Sequence, residues 1–123
     1  MTGIRSLVPM AHVADVERSM AFYGRLGFRV RHTFTPDGSN APSWAWLESE
    51  GASLMVARAS DPLGEPQGVL FYFYLYADDV GGLRTSIEQS GLAPGPIAFP
   101  FYAPRGEFRV TDPDGYVLMI THT

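Results

Sequence analysis

Two stretches of this 123-residue chain repeat one pattern at a fixed spacing of 64 residues. "VADVERSMAFYGRLGF" (13–28) and "ADDVGGLRTSIEQSGL" (77–92) align so that Asp15 falls on Asp79, Val16 on Val80, Tyr23 on Ile87, Gly27 on Gly91 and Phe28 on Leu92. Internal repetition restricts the fold more than composition does, because each copy must form the same supersecondary unit. Each stretch reads as a helix. An Asp stands where its carboxylate can accept first-turn N–H groups, and a Gly follows where a left-handed residue ends the helix. Val16, Met20 and Tyr23 share one helical face, as do Val80, Leu83 and Ile87.

The same spacing extends to the flanking strands. β-like runs precede the helices at "IRSLVPMAHV" (4–13) and "VLFYFYLYA" (69–77). "FRVRHTF", "SWAWLE" and "SLMVAR" follow the first helix; "FRVT" and "VLMITH" follow the second, with "ESEG" and "DPDG" as hairpin turns. The counterpart of "FRVRHTF" is placed within the Pro- and Gly-rich "APGPIAFPFYAPRGE" (93–107). The chain is thus predicted to be an α+β protein of two tandem βαβββ modules: module one 1–60, linker 61–68, module two 69–123. Met55 and Met119 occupy equivalent places in the last strand of each.

Composition bounds the function. There is no cysteine, which excludes disulfides, thiolate nucleophiles and Cys-ligated metals. No apolar run approaches the roughly 20 residues of a membrane span. "MTGIRSLVPM" lacks the apolar core of a secretion signal, so a cytoplasmic protein without a membrane partner is expected. Net charge is −4 and no Lys/Arg cluster is present, so no nucleic-acid partner is expected.

On "DVERSMAFYGRLGF" (15–28), "GEFRVTDPDGYVLMI" (106–120) and the repeat, the chain resembles the glyoxalase/bleomycin-resistance/extradiol-dioxygenase group, the vicinal oxygen chelate superfamily. The resemblance implies that each module curls a mixed sheet into a half-barrel and that two half-barrels enclose a cavity. It also implies metal-ligand positions on the first and last strand of each module. Here these hold Val8, Met55, Tyr72 and Met119. An alkyl chain, a neutral phenol and two thioethers do not suit the hard or borderline divalent ions, so neither a metal nor another cofactor is expected. His12, His32 and His122 are dispersed, without metal-ligand spacing.

Strand alternation places Met10 and His12 on the face of Val8, and Tyr74 on that of Tyr72, leaving Leu7, Phe71, Phe73 and Leu75 to face the helices. A two- or four-residue turn around Glu50-Gly51 pairs Trp46 with Met55 and brings Trp44 and Glu48 to that face, whereas a three-residue turn would flip the set. The expected ligand-binding set is Met10, Trp44, Trp46, Met55, Tyr72, Tyr74 and Met119, with Tyr102 from the 93–106 loop. Aromatic faces and thioethers suit a planar or extended organic ligand. Glu48 is the candidate counter-charge if that ligand is cationic.

The chain looks most like the bleomycin-resistance branch, whose members sequester a drug without chemistry and pair modules across a two-fold axis. A homodimer is therefore expected. That branch often has a Trp two residues before its "GEF"-type stretch, where "APRGEF" offers Arg105 and Tyr102. The expected ligand is accordingly an aromatic small molecule rather than bleomycin itself. The alternative is a metal-independent cyclase, epimerase or lyase with His12, Glu48, Tyr72 or Glu107 as acid or base.

Overall fold

The computed structural model describes residues 2–61, 63 and 73–123. Six of the eight residues of the expected linker 61–68, and residues 69–72 of the expected strand, Phe71 and Tyr72 among them, lie outside them. The chain divides into two compact units, Met1–Leu63 and Gly64–Thr123. Among the described residues no helix is long and apolar enough to cross a membrane.

In the first unit the order is β1 (Met10–Val13), α1 (Val16–Gly24), β2 (Arg29–Phe34), β3 (Trp44–Ser49) and β4 (Ala52–Arg58). The sheet order is β1-β4-β3-β2, with β1 parallel to β4 and the other pairs antiparallel. The second unit has β5 (Phe73–Tyr76), α2 (Val80–Gln89), β6 (Phe108–Thr111) and β7 (Val117–Thr121). Its order, β5-β7-β6, has the same parallel and antiparallel pairings. Gly95 N donates to Arg109 O, and Ala98 and Glu107 exchange backbone bonds of 2.9 Å. Segment 95–98 thereby takes the fourth place, inside the stretch predicted to hold it. Pro96 within it, with Pro94 and Pro100 on either side, interrupts the donor series and keeps it from a regular ladder.

The helix signals act as read. The Asp15 carboxylate accepts from Arg18 N at 3.1 Å and that of Asp79 from Gly82 N at 2.9 Å. Gly27 and Gly91 have φ of 99° and 98°. Beyond them Phe28 N reaches back to Tyr23 O, and Leu92 N to Ile87 O, the long bond of a Schellman ending.

Each sheet packs one face against its helix, and the other face is exposed or half-buried except at Met119 and Thr121. In the first unit Ala11, Val13, Ala45, Leu47, Leu54 and Val56 are buried together with Val16, Phe22 and Tyr23 of α1. Tyr23 packs edge-on against Phe22 and Phe28, with centroids 5.1 and 5.8 Å apart. In the second, Phe108, Val110, Leu118 and Ile120 are buried, as are Val80 and Ile87. Arg84 ties α2 to the irregular segment through Gly95 O at 2.8 Å. One expectation fails: Leu7 is 84% exposed. β1 begins only at Met10, and Leu7 precedes the ladder, whose first contact is Met55 N to Pro9 O.

Packing outweighs capping in this arrangement. Leu47→Ala is expected to cost about 2–5 kcal/mol. Asp15→Ala and Asp79→Ala should each cost about 1 kcal/mol, in urea unfolding at unchanged slope. Equal stability of wild type and both cap variants would show that the caps do not contribute.

Candidate functional site

The two-residue turn at Glu50-Gly51 pairs Ser49 with Ala52 and, further in, Trp46 with Met55. Register then assembles two rows across the open face of the first sheet. One is Met10, Met55, Trp46 and His32; the other is His12, Ala57, Trp44 and Phe34. Sequence reasoning found the Trp and Met members but missed Phe34 and His32. The signal for them was the pairing of "FRVRHTF" with "SWAWLE", which a register irregularity between Val30 and His32 hid. Val8, with the first-strand metal position, precedes β1; the residue directly beside Met55 is Met10.

The charges on this face differ from expectation. The Glu48 carboxylate faces Arg29 at 3.5 Å and Arg31 at 3.3 Å. Arg31 also lies 6.0 Å from the Trp46 ring centroid. Glu48 is therefore not an open counter-charge for a cationic ligand, because two guanidinium groups already neutralise it. Trp46 Nε1 is buried without a hydrogen-bond partner among the described residues.

In the second unit the equivalent row is Tyr74, Met119 and Arg109, extended by the Gly95 N–H bond to Arg109 O. Its hairpin turn is longer than that of the first unit. Asp112 N donates to Tyr116 O, Gly115 has φ 93°, and the Asp112 carboxylate accepts from the N–H groups of Asp114 and Tyr116, each at 2.9 Å. The three-residue loop shifts the register by one relative to the repeat. Arg109, rather than the Val110 that the 64-residue spacing would give, comes to stand beside Met119. The "DPDG" turn is the signal that could have found Arg109.

The row borders a groove of about 320 Å³, also lined by Pro96, Ala98, Tyr102, Glu107 and Phe108. Four sequence-predicted residues thus meet here: Tyr74, Tyr102, Glu107 and Met119. Met119 is buried while Tyr74 and Tyr102 are exposed. The Tyr102 hydroxyl donates to Glu107 Oε1 at 3.1 Å. Gly106 makes this placement possible. It has φ 104°, and a Cβ there would meet Ile97 Cγ2 at 2.6 Å. His122, by contrast, is engaged by Arg105 at the exposed end of β7.

At the superfamily's metal positions an alkyl chain (Val8) and two thioethers (Met55, Met119) do not fit a hard or borderline divalent ion; Tyr72 lies outside the described residues. Among those residues no group of three His, Asp or Glu side chains is placed to hold an ion.

The Tyr102 phenol is pushed above its usual 10, first by its hydrogen bond to Glu107 and then by that carboxylate's charge. Partial desolvation and Tyr74 add to this, and Arg109 opposes it. A raised folded value means that the associated stability is complete below the unfolded value and is lost as pH rises through the folded one, a window above pH 10. Phenolate absorbance, as the difference between wild type and Tyr102→Phe, should place Tyr102 above an ordinary tyrosine. Glu107→Gln should lower it again; no change would refute the assignment.

A family model for the glyoxalase/bleomycin resistance protein/dioxygenase superfamily matches residues 7–120. No curated protein sequence matches the chain. Among solved structures, a bleomycin resistance determinant encoded on the transposon Tn5 superposes with TM-score 0.75 at 20% identity, covering 98% of each chain. A bleomycin-binding protein complexed with bleomycin gives TM-score 0.74 at 20% identity, over 98% of this chain and 99% of that one. TnmS3, an antibiotic-binding protein from Streptomyces sp. CB03234, gives 0.75 at 20% identity, over 99% and 98%. In all, 140 solved chains match, so the likeness speaks to fold rather than to ligand. With a βαβββ unit, a second unit that repeats it with an irregular segment in place of one strand, and a family match over nearly its whole length, the chain belongs to the glyoxalase/bleomycin resistance protein/dioxygenase superfamily and has the vicinal oxygen chelate fold.

Proposed function

We propose that this protein binds an aromatic small molecule non-covalently and without a metal, as a drug-sequestering member of its superfamily. The observation that carries the reading is the make-up of the two open sheet faces. Trp44, Trp46, Met10 and Met55 cover one; Tyr74 and Met119, with Tyr102 beside them, cover the other. Tyr72 joins the set by its place in the repeat. Aromatic contacts of this kind contribute roughly 0.5–1.5 kcal/mol each beyond area burial, so two or three of them provide useful affinity. The bleomycin-binding and antibiotic-binding proteins of the same fold support the reading.

A screen of planar antibiotics, with bleomycin included, should find a ligand that quenches tryptophan fluorescence and raises the melting temperature by mass action. Trp46→Ala should weaken it more than tenfold, and Trp44→Ala less, because Trp44 begins its strand. A screen without quenching or melting shift would refute the reading. The hydrogen bond between Tyr102 and Glu107 gives the alternative, a metal-independent cyclase, epimerase or lyase, its best-placed acid–base pair. Mass spectrometry of the ligand after incubation separates the two: unchanged ligand supports binding, and a converted product supports an enzyme.

The protein is further proposed to act as a homodimer. Phe99, Phe101 and Tyr102 are exposed on one Pro-rich loop, and Ile4 and Leu7 on the segment before β1. Apolar surface of this kind favours a subunit contact. Light scattering should give twice the 13.5 kDa chain mass at micromolar concentration; the monomer mass would refute it.

A further inference from the structure

Beside its aromatic row, the open face of the first sheet carries two cations and one anion. Glu48 shares its strand parity with Trp46 and Trp44, so its carboxylate stands on that face. Arg29 lies opposite Glu48, and Arg31 falls at the register irregularity of β2. Arg29 Nη2 donates to Glu48 Oε1 at 3.5 Å and Arg31 Nη1 to Oε2 at 3.3 Å. Both distances exceed the roughly 2.7–2.9 Å of a tight charge-assisted bond. The arginine side chains are 70% and 54% exposed. Loose, exposed pairs of this kind contribute little to stability, and one carboxylate offsets only one of the two cations. The surplus charge borders the tryptophan. The Arg31 guanidinium carbon lies 6.0 Å from the Trp46 ring centroid, the outer limit of a cation–π contact.

We propose that Arg31, with Arg29, makes this face selective for an anionic aromatic ligand. Its ring lies along Trp46, Met55 and Met10, and its carboxylate, sulfonate or phosphate takes the guanidinium donors. The proposal rests on the reading of the protein as a small-molecule binder and names the charge its ligand carries. Met10 is exposed and Trp46 and Met55 are half-buried, so each has surface that a ligand touches without displacing the core. A guanidinium presents a planar fork of N–H donors that matches an oxyanion. Glu48 takes one nitrogen of each arginine. The row of Met10, Met55, Trp46 and His32 contains no carboxylate to repel an anion. A cationic head group at the same place would face two guanidinium groups against a single carboxylate.

Naphthalene-2-carboxylate, 2-naphthamide and 2-naphthamidine share one planar ring and differ in the charge of the head group. Their affinities for the full chain can be ranked by ligand-observed NMR or calorimetry at low salt. The carboxylate should bind at least fivefold more tightly than either of the others, and the margin should shrink at high salt. Arg31→Gln should weaken the carboxylate at least fivefold and leave the carboxamide within twofold. A carboxylate preference that survives Arg29→Gln and Arg31→Gln combined would overturn the proposal, because the selection would then arise elsewhere. Should a variant fail to fold, the wild-type ranking and its salt dependence decide. Equal binding of the three probes, or preference for the amidine, would overturn the charge selection while leaving the small-molecule reading intact. Absence of binding by all three would overturn the proposal and leave the small-molecule reading to the antibiotic screen.

Discussion

Everything in each unit follows from one constraint: a pleated sheet can cover only one of its faces with the helix that its own module supplies. In the first unit Ala45, Leu47, Leu54 and Val56 take the covered face. Alternation then forces Trp44, Trp46 and Met55 onto the other. The open face is not a side effect of the core. It is the same set of residues read at the opposite parity, so core and candidate site cannot vary independently. A one-residue slip in the hairpin would expose Leu47 and bury Glu48, losing the core and the site together.

The two hairpins show how much rests on turn length. Glu50 and Gly51 make a two-residue connection, and Trp46 faces Met55. Asp112 to Tyr116 closes a three-residue loop, and the position beside Met119 passes to Arg109. The two modules share a topology, yet one presents an indole and the other a guanidinium at the corresponding point. The repeated topology gives a common scaffold, and a one-residue difference in hairpin register makes the two faces chemically different.

The polar groups left on these faces are unequal. Glu48 is neutralised by Arg29 and Arg31, and the pair of contacts orders the rim of the first sheet. Exposed ion pairs of this sort contribute little to stability. Glu107 and Trp46 are different, because each keeps one buried atom without a partner. Such atoms oppose folding, because each was hydrated in the unfolded chain. The unmet atom is an acceptor in Glu107 and a donor in Trp46.

The sequence alone determined the repeat, both capped helices and the places of both hairpin turns; the parity of Trp46 depended on a turn length that the structure supplied. These are local properties: an Asp before an amphipathic stretch, a Gly after it, and alternation along a strand act within a few residues. What the sequence did not determine arises between segments distant along the chain. The irregularity near Val30 brought His32 and Phe34 beside the tryptophans, and Arg29 and Arg31 onto Glu48. Pairing of Ala98 with Glu107 set that carboxylate against Tyr102 with one oxygen unmet. Which strand borders which, and in what register, is decided by the packing of a whole sheet on its helix. No window of local sequence contains that information.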